Sequence, residues 1–163
     1  MTRALVALAL AGVPALAVAH PLGNFTVNRW TAVRIAPGTV AVRYVVDLAE
    51  IPTFQEMRRL DADGDGTIDA GERDVYVARM GGELGPNLVL TVDGQPLALV
   101  AGAGTLELPP GAGGLPTLRL EIPFGTALAP GRGVVELRDR NFAGRPGWQE
   151  MIADAGDGIA LTG

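Results

Sequence analysis

Acidic side chains are spaced through residues 61 to 72 so that they can surround a cation. The candidate ligand positions are Asp61, Asp63, Asp65, Thr67, Asp69 and Glu72. Five of the six carry carboxylates, and Thr67 would contribute its backbone carbonyl oxygen. Glu72 has the longer side chain that a bidentate clamp requires, and Asp69 would bind directly or through a water molecule. An all-oxygen ligand set of this size favours calcium.

The spacing of these ligands is that of a twelve-residue EF-hand loop. Gly66 stands at the sixth loop position, where the sharp turn resists a residue with a Cβ atom. Ile68, at the eighth position, is expected to anchor the loop to a neighbouring strand or to a second hand. The alternative is a solvated acidic turn, which does not explain five acids and a glycine in register. Since the sequence contains one such loop, the site is either isolated or paired by self-association.

Apolar residues on both sides of the loop predict a helix-loop-helix at about residues 52 to 81. The apolar positions before the loop are Ile51, Phe54, Met57 and Leu60, and those after it are Val75, Val77 and Met80. Pro52 suits a first helical turn, and Gly81-Gly82 is expected to end the second helix.

Outside this segment the apolar residues recur with period two, which predicts strands. Alternating runs occur near residues 25–35, 40–48, 88–92, 97–99, 105–108, 118–122 and 135–137, and a further strand is expected to begin at Ile159 and Leu161. Asp93-Gly94 is a hairpin signal between two of the runs. Many short strands with Gly/Pro turns predict a mainly β fold, an antiparallel β-sandwich with the EF-hand helix-loop-helix inserted between two strands.

The first nineteen residues have the features of a signal peptide. Arg3 precedes a short apolar stretch, and Ala17-Val18-Ala19 fits a small-x-small cleavage site. An uncleaved anchor is the alternative. Residues 20–163 then form one domain, the length being ordinary for a single core. The sequence therefore predicts an exported protein, in the periplasm or outside the cell.

Composition argues against two broad functions. The net charge is −5 and no basic patch with interleaved aromatic residues occurs, so nucleic acid is not an expected partner. The sequence has one histidine and lacks cysteine, serine and lysine, so a nucleophile–base pair would need threonine and carboxylates. Glu50 and Glu56 flank the first helix and could pair for acid/base chemistry, but ordinary surface carboxylates are the favoured explanation for both. An enzyme is not expected.

His20 is a second candidate metal ligand. After cleavage its imidazole and the free α-amine would chelate a transition metal such as nickel or copper. Pro21 supplies no amide nitrogen, and no other histidine can complete the site. The alternative for His20 is an ordinary chain terminus.

Three stretches of the chain carry a family resemblance. They are residues 20–29 (HPLGNFTVNR), 47–56 (DLAEIPTFQE) and 141–151 (NFAGRPGWQEM). Together they resemble the exported N-terminal domain of some bacterial proteins of the nickel/cobalt transporter class. The resemblance implies an accessory domain, or a fragment whose membrane part lies in a continuation of the chain.

These observations lead to one expectation and two alternatives. The expected function is that of a calcium-binding exported accessory domain, structural or regulatory, associated with a nickel/cobalt transporter. The alternatives are a module that handles nickel or cobalt itself, and an envelope scaffold with a silent EF-hand loop.

Overall fold

The computed structural model describes residues 22–131 and 133–162. The expected signal peptide and His20 lie outside the described residues. Nine strands and two helices follow in chain order: β1 (Val27–Ala36), β2 (Thr39–Leu48), α1 (Glu50–Leu60), α2 (Ala70–Leu84), β3 (Leu88–Val92), β4 (Gln95–Leu97), β5 (Val100–Ala101), β6 (Thr105–Glu107), β7 (Leu118–Ala127), β8 (Val135–Asp139) and β9 (Gln149–Ala155). The fold is mainly β, as the sequence predicts.

The strands form two sheets. The larger sheet has the order β5-β7-β2-β1-β9, with β6 also pairing with β7. The smaller sheet has the order β4-β3-β8, and its β3–β4 hairpin turns at Asp93-Gly94, where both residues have positive φ. Both sheets and both helices contribute side chains to one hydrophobic core.

Alternation along β2 explains how the larger sheet buries one face. Its even-numbered side chains, Val40, Val42, Tyr44, Val46 and Leu48, are all buried. Val45 is also buried, at 1% exposure, although it lies on the opposite face. Trp30 pairs with Val45 across the β1–β2 ladder, and the Arg43 guanidinium lies 5.5 Å from the centre of the Trp30 ring. A small apolar cluster thus exists on the outer face of the sheet.

The last strand differs from the sequence prediction in position and direction. Residues 156–162 contain no strand, so the strand expected at Ile159 and Leu161 was wrong; β9 lies earlier, at Gln149–Ala155. β9 runs parallel to β1, whereas every other described strand pair is antiparallel. The side chains of β9 are exposed on both faces except at its last residue, so the strand has no buried apolar period that the sequence could reveal.

Helix α1 departs from the predicted apolar face. Leu60 is buried and Met57 packs against the core, but Phe54 is 63% exposed. Positions three apart on an α-helix differ by about 60° of rotation, so four positions separated by three such steps cannot share one face. Thr53 is buried instead, and its hydroxyl donates to the carbonyl oxygen of Leu48.

Helix α2 continues beyond the predicted end at Gly81-Gly82 and reaches Leu84. Gly81 is buried, and a Cβ atom there would lie 2.9 Å from the Cβ of Ala101 in β5. This glycine therefore permits close packing of the helix on a strand and does not end the helix. Neither α1 nor α2, nor any other helix of the described chain, is long and apolar enough to cross a membrane.

Replacing Gly147 with alanine is expected to lower the free energy of unfolding by about 3 kcal/mol or more. Gly147 has φ +143°, and a Cβ atom would lie 2.2 Å from the carbonyl oxygen of Val27. Gly144 provides a matched control, since it has φ +76° but open space around a Cβ. Gly144→Ala should lower the free energy of unfolding by only about 1 kcal/mol, which is the cost of a residue with a Cβ in a left-handed backbone conformation. Urea unfolding measures both changes, and equal losses would contradict the steric argument.

Candidate metal centre

The acidic loop lies between the two helices. Helix α1 ends at Leu60, and α2 begins at Ala70 with Asp69 as its N-cap. Nine residues therefore form the loop, and Glu72 stands in the first turn of α2. The helix-loop-helix spans Glu50 to Leu84, slightly more than the predicted 52 to 81, and connects β2 to β3.

Three aspartates of the loop come together. Asp61, Asp63 and Asp65 each have a carboxylate oxygen within 4.8 Å of the other two. Elsewhere in the described ranges, no other group of three or more His, Cys, Asp or Glu side chains is close enough to share an ion. Asp61 is half-buried, while Asp63 and Asp65 are exposed. The three carboxylates can reach a single cation.

Hydrogen bonds within the loop hold these carboxylates in place. Asp63 Oδ1 accepts from the N–H of Asp65 at 3.1 Å, and Asp65 Oδ1 accepts from the N–H of Thr67 at 2.7 Å. Asp61 Oδ2 accepts from the N–H of Gly66 at 3.1 Å. Gly66 has φ +84°, so the glycine lets the chain turn back toward Asp61.

The second oxygen of Asp61 has no partner. Asp61 Oδ1 is buried and makes no hydrogen bond, although Oδ2 of the same carboxylate does. A buried acceptor without a donor costs about 1–3 kcal/mol, and more when it is charged. A cation held between the three aspartates would remove this cost. The orphaned oxygen therefore fits a metal ligand and is not explained by a solvated turn.

Glu72 and Asp69 form the N-terminal cap of α2. Asp69 Oδ1 accepts from the N–H of Glu72 at 2.8 Å, and Glu72 Oε2 accepts from the N–H of Asp69 at 3.1 Å. Glu72 Oε1 also accepts from the N–H groups of Ala62 at 2.7 Å and Asp63 at 3.4 Å. The Glu72 carboxylate thus reaches the start of the loop, although it is outside the group of three aspartates.

Thr67 and Ile68, the two other loop residues given a role by the sequence, differ in burial. Thr67 is exposed, and its backbone N–H donates to Asp65 Oδ1. Ile68 is half-buried and packs against the hydrophobic core. Ile68 therefore anchors the loop to the hydrophobic core, but it forms no strand pairing, so the expected link to a neighbouring strand or a second hand stays a prediction.

Charged side chains join the two helices away from the loop. Arg59 of α1 donates to Glu56 on the same helix and, at 2.7 Å, to Glu83 on α2. The hydrogen bond to Glu83 raises the pKa of Arg59 above its usual value. The hydroxyl of Tyr76 donates to Glu56 at 3.1 Å, and burial raises the pKa of this phenol. These contacts fix the angle at which the helices meet the loop.

Glu50 and Glu56 serve separate partners. Glu50 is buried, and its Oε1 accepts from the N–H of Ala112 at 2.7 Å, which lowers the pKa of the carboxyl. Glu56 is held by Arg59 and Tyr76. Each carboxylate therefore has a structural role that accounts for its presence.

A buried network around Asp139 connects α2 to both sheets, and the sequence gives no sign of it. The Asp139 side chain is fully buried and accepts from the hydroxyl of Tyr44 at 3.0 Å. Its carboxylate also lies 3.6 Å from Nε of Arg29 and accepts from Gln149 at 3.3 Å. Asn141 donates its backbone N–H to Asp139 and its side-chain amide to the carbonyl oxygen of Leu84, at the end of α2.

The three stretches that carry the family resemblance meet around one cavity. This cavity has a volume of about 260 Å³ and is lined by Val27, Leu48, Pro52, Gln55, Glu56, Phe142 and Arg145, all of which belong to those stretches. The N–H of Val27 donates to the carbonyl oxygen of Pro146 at 2.8 Å, which joins the first stretch to the third. Part of each of the three stretches therefore lines this cavity.

A second cavity of about 190 Å³ adjoins the first and extends beneath α2. Both cavities share Leu48, Glu56 and Phe142, and the second one is also lined by Tyr76 and Met80 of α2. Phe142 has φ +52°, which is uncommon for an aromatic residue. Helix α1 thus lines the first cavity directly through Pro52, Gln55 and Glu56, and α2 lines the adjoining cavity.

The two tryptophans differ in exposure. Trp30 is half-buried under Arg43, whereas Trp148, just before β9, is 50% exposed.

Comparison of the chain with protein-family models, with curated proteins and with solved structures yields no significant match. The functional argument therefore rests on the geometry of the loop and on its place in the fold.

Proposed function

We propose that residues 61–72 form an EF-hand that binds calcium, inserted into an exported β-sandwich domain. The bound ion would have a structural or regulatory role, ordering a surface that contacts a membrane transporter of the nickel/cobalt class. The observation that carries the calcium proposal is the buried, unpartnered Oδ1 of Asp61 beside two further aspartate carboxylates.

The chemistry of the donors supports calcium over other metals. The loop offers carboxylate and carbonyl oxygens and no nitrogen or sulfur ligand, which suits a hard cation. Magnesium requires near-ideal octahedral geometry and gives up its waters reluctantly. An exported protein meets abundant calcium, and extracellular modules bind it at roughly 10⁻⁴–10⁻³ M.

An ion in the loop would stabilise the helix pair. Asp61 directly follows α1, and Glu72 lies in the first turn of α2, so a shared ion would link the two helices. It would also neutralise carboxylates that repel one another in the empty loop. We therefore expect calcium to raise the thermal stability of the protein by mass action.

The cavity formed by the three stretches supports a partner surface near the helices. Its rim carries Arg145, which is exposed, beside apolar walls from Leu48 and Phe142. The α2 residues Tyr76 and Met80 line the adjoining cavity. Because Phe142 lines both cavities, a change in the position of α2 would shift the Phe142 side chain. Calcium binding in the loop would in this way change the shape of the proposed partner surface.

Isothermal titration calorimetry of Asp61→Asn tests the proposal. The substitution removes the charge of the orphaned oxygen and should weaken calcium binding roughly tenfold or more. Asp74→Asn is the matched control, because Asp74 is an exposed acid on α2 with the same charge. The control should bind calcium like the parent protein. No calcium heat in the parent, or equal affinities in both variants, would refute the site.

The same instrument separates the alternatives when calcium, magnesium and nickel are titrated in turn. Calcium binding with weak magnesium competition supports the EF-hand. Nickel binding that is lost in His20→Ala and in a form extended by one residue would support the transition-metal module. The absence of binding heat for all three ions would support a scaffold with a non-binding loop.

A further inference from the structure

We propose that the outer edge of β9 is a self-association surface. Two copies of the chain would pair antiparallel through β9, with Met151 of each copy at the twofold axis. The larger sheets of the two copies would then form one continuous sheet. This inference is independent of the calcium site.

The hydrogen bonds to β1 determine which groups of β9 remain free. The N–H of Arg29 donates to the carbonyl oxygen of Trp148, and the N–H of Gly156 donates to that of Ile35. Because backbone groups in a parallel ladder alternate in direction, the even-numbered residues of β9 face β1. The odd-numbered residues, Gln149, Met151, Ala153 and Ala155, direct their N–H and C=O groups away from the sheet.

The edge carries two acids, Glu150 and Asp154, but it lacks a proline and a covering backbone segment among the described residues. β9 has seven residues and contains no proline, and no backbone hydrogen bond between separate elements of the described chain ends on its odd-numbered residues. Trp148, Met151 and Ile152 are 50%, 39% and 42% exposed. A long edge with apolar side chains is a template for another strand.

A second copy matches this edge in hydrogen-bonding pattern. In an antiparallel pair, residues with outward backbone groups must face each other and exchange both hydrogen bonds. Placing Met151 opposite Met151 of the second copy also sets Gln149 opposite Ala153. All three of these positions are odd-numbered, so the outward groups are satisfied in both copies.

Charge selects this register over its neighbour. A shift that centres the axis on Ile152 would set Glu150 opposite Asp154, and like charges directly opposite are destabilising. With Met151 at the axis, Glu150 faces Ile152 and Asp154 faces Trp148. Asp154 is also paired with Arg34 of its own copy at 2.8 Å, so its charge is already balanced.

Single cysteines test the register, because the chain contains none of its own. Opposed residues of a hydrogen-bonded antiparallel pair have Cα atoms about 5.5 Å apart, which a disulfide can bridge. Met151→Cys should therefore form a covalent dimer under mild oxidation. Ala153→Cys is the matched control, since its two copies would lie about 14 Å apart along the strand. Cross-linking of Ala153→Cys but not Met151→Cys would overturn the proposal.

Light scattering after size-exclusion chromatography tests the edge itself over a concentration series. Met151→Pro removes an outward N–H while leaving the pairing with β1, and it should weaken the dimer roughly tenfold or more. Met151→Arg should do the same by charge repulsion if the proline variant folds poorly. A monomeric parent protein, or a dimer that survives both substitutions, would overturn the proposal. A dimer that dissociates when a calcium chelator is added would also overturn the proposal, because that dimer would form through the acidic loop.

Discussion

Replacing Glu72 with alanine is expected to lower the calcium affinity roughly 100-fold or more. Loss of a group that only supports a metal ligand typically costs 10- to 100-fold, and Glu72 is proposed as a ligand itself. The alanine variant also loses half of the capping box of α2, since the Glu72 side chain accepts from the N–H groups of Ala62 and Asp69, while the bond from the N–H of residue 72 to Asp69 remains. Its calcium-free stability should fall by about 0.5–2 kcal/mol.

Glu72→Gln separates these two effects. Glutamine can keep the capping box but lacks the carboxylate charge. Its single amide oxygen can accept from the N–H of Asp69 but not also from that of Ala62. With a calcium chelator present we therefore expect its free energy of unfolding to lie between those of the parent and the alanine variant, and we expect it to bind calcium weakly. Calorimetry and unfolding on the same samples provide both quantities. Unchanged calcium affinity in both variants would exclude Glu72 as a ligand.

The second large effect is expected at Asp139. Replacing it with alanine should lower the free energy of unfolding by about 3–5 kcal/mol, because Arg29, whose side chain is only 14% exposed, would lose its charged partner. The hydroxyl of Tyr44 and the side chain of Gln149 would also lose an acceptor. Urea unfolding at fixed calcium concentration measures the change.

Asp154→Ala is the matched control for Asp139→Ala. Asp154 also pairs with an arginine, Arg34, but both side chains are about 60% exposed. Exposed pairs contribute about 0–1 kcal/mol, so this substitution should have little effect. If the two variants lost the same stability, the network around Asp139 would not be a major contributor.

The sequence predicts the helix-loop-helix because the information for this segment is local. Every candidate ligand lies within twelve consecutive residues, and the turn at Gly66 depends on that residue alone. The alternation in β2 is equally readable, since one face of the strand is buried along its length. Both features are set by neighbours in the chain.

The features that the sequence did not predict depend on contacts between distant segments. β9 is recognised by its backbone pairing with β1, because its side chains are exposed on both faces. Asp139 lies between two arginines in sequence, yet its partners are Tyr44, Arg29 and Gln149 from three other strands. Nothing in the order of residues distinguishes it from a surface acid.

The role proposed for Glu72 as a calcium ligand would have a kinetic consequence. Its carboxylate is held by the N–H of Ala62 and lies outside the group of three aspartates, so it would have to move before closing on an ion, whereas the three aspartates are already close together. Calcium entry would then proceed in two steps, a fast encounter with Asp61, Asp63 and Asp65 and a slower closure by Glu72. In a rapid-mixing experiment, the observed rate constant of calcium binding would reach a plateau at high calcium concentration. The plateau value would equal the rate constant at which Glu72 leaves its hydrogen bond with Ala62.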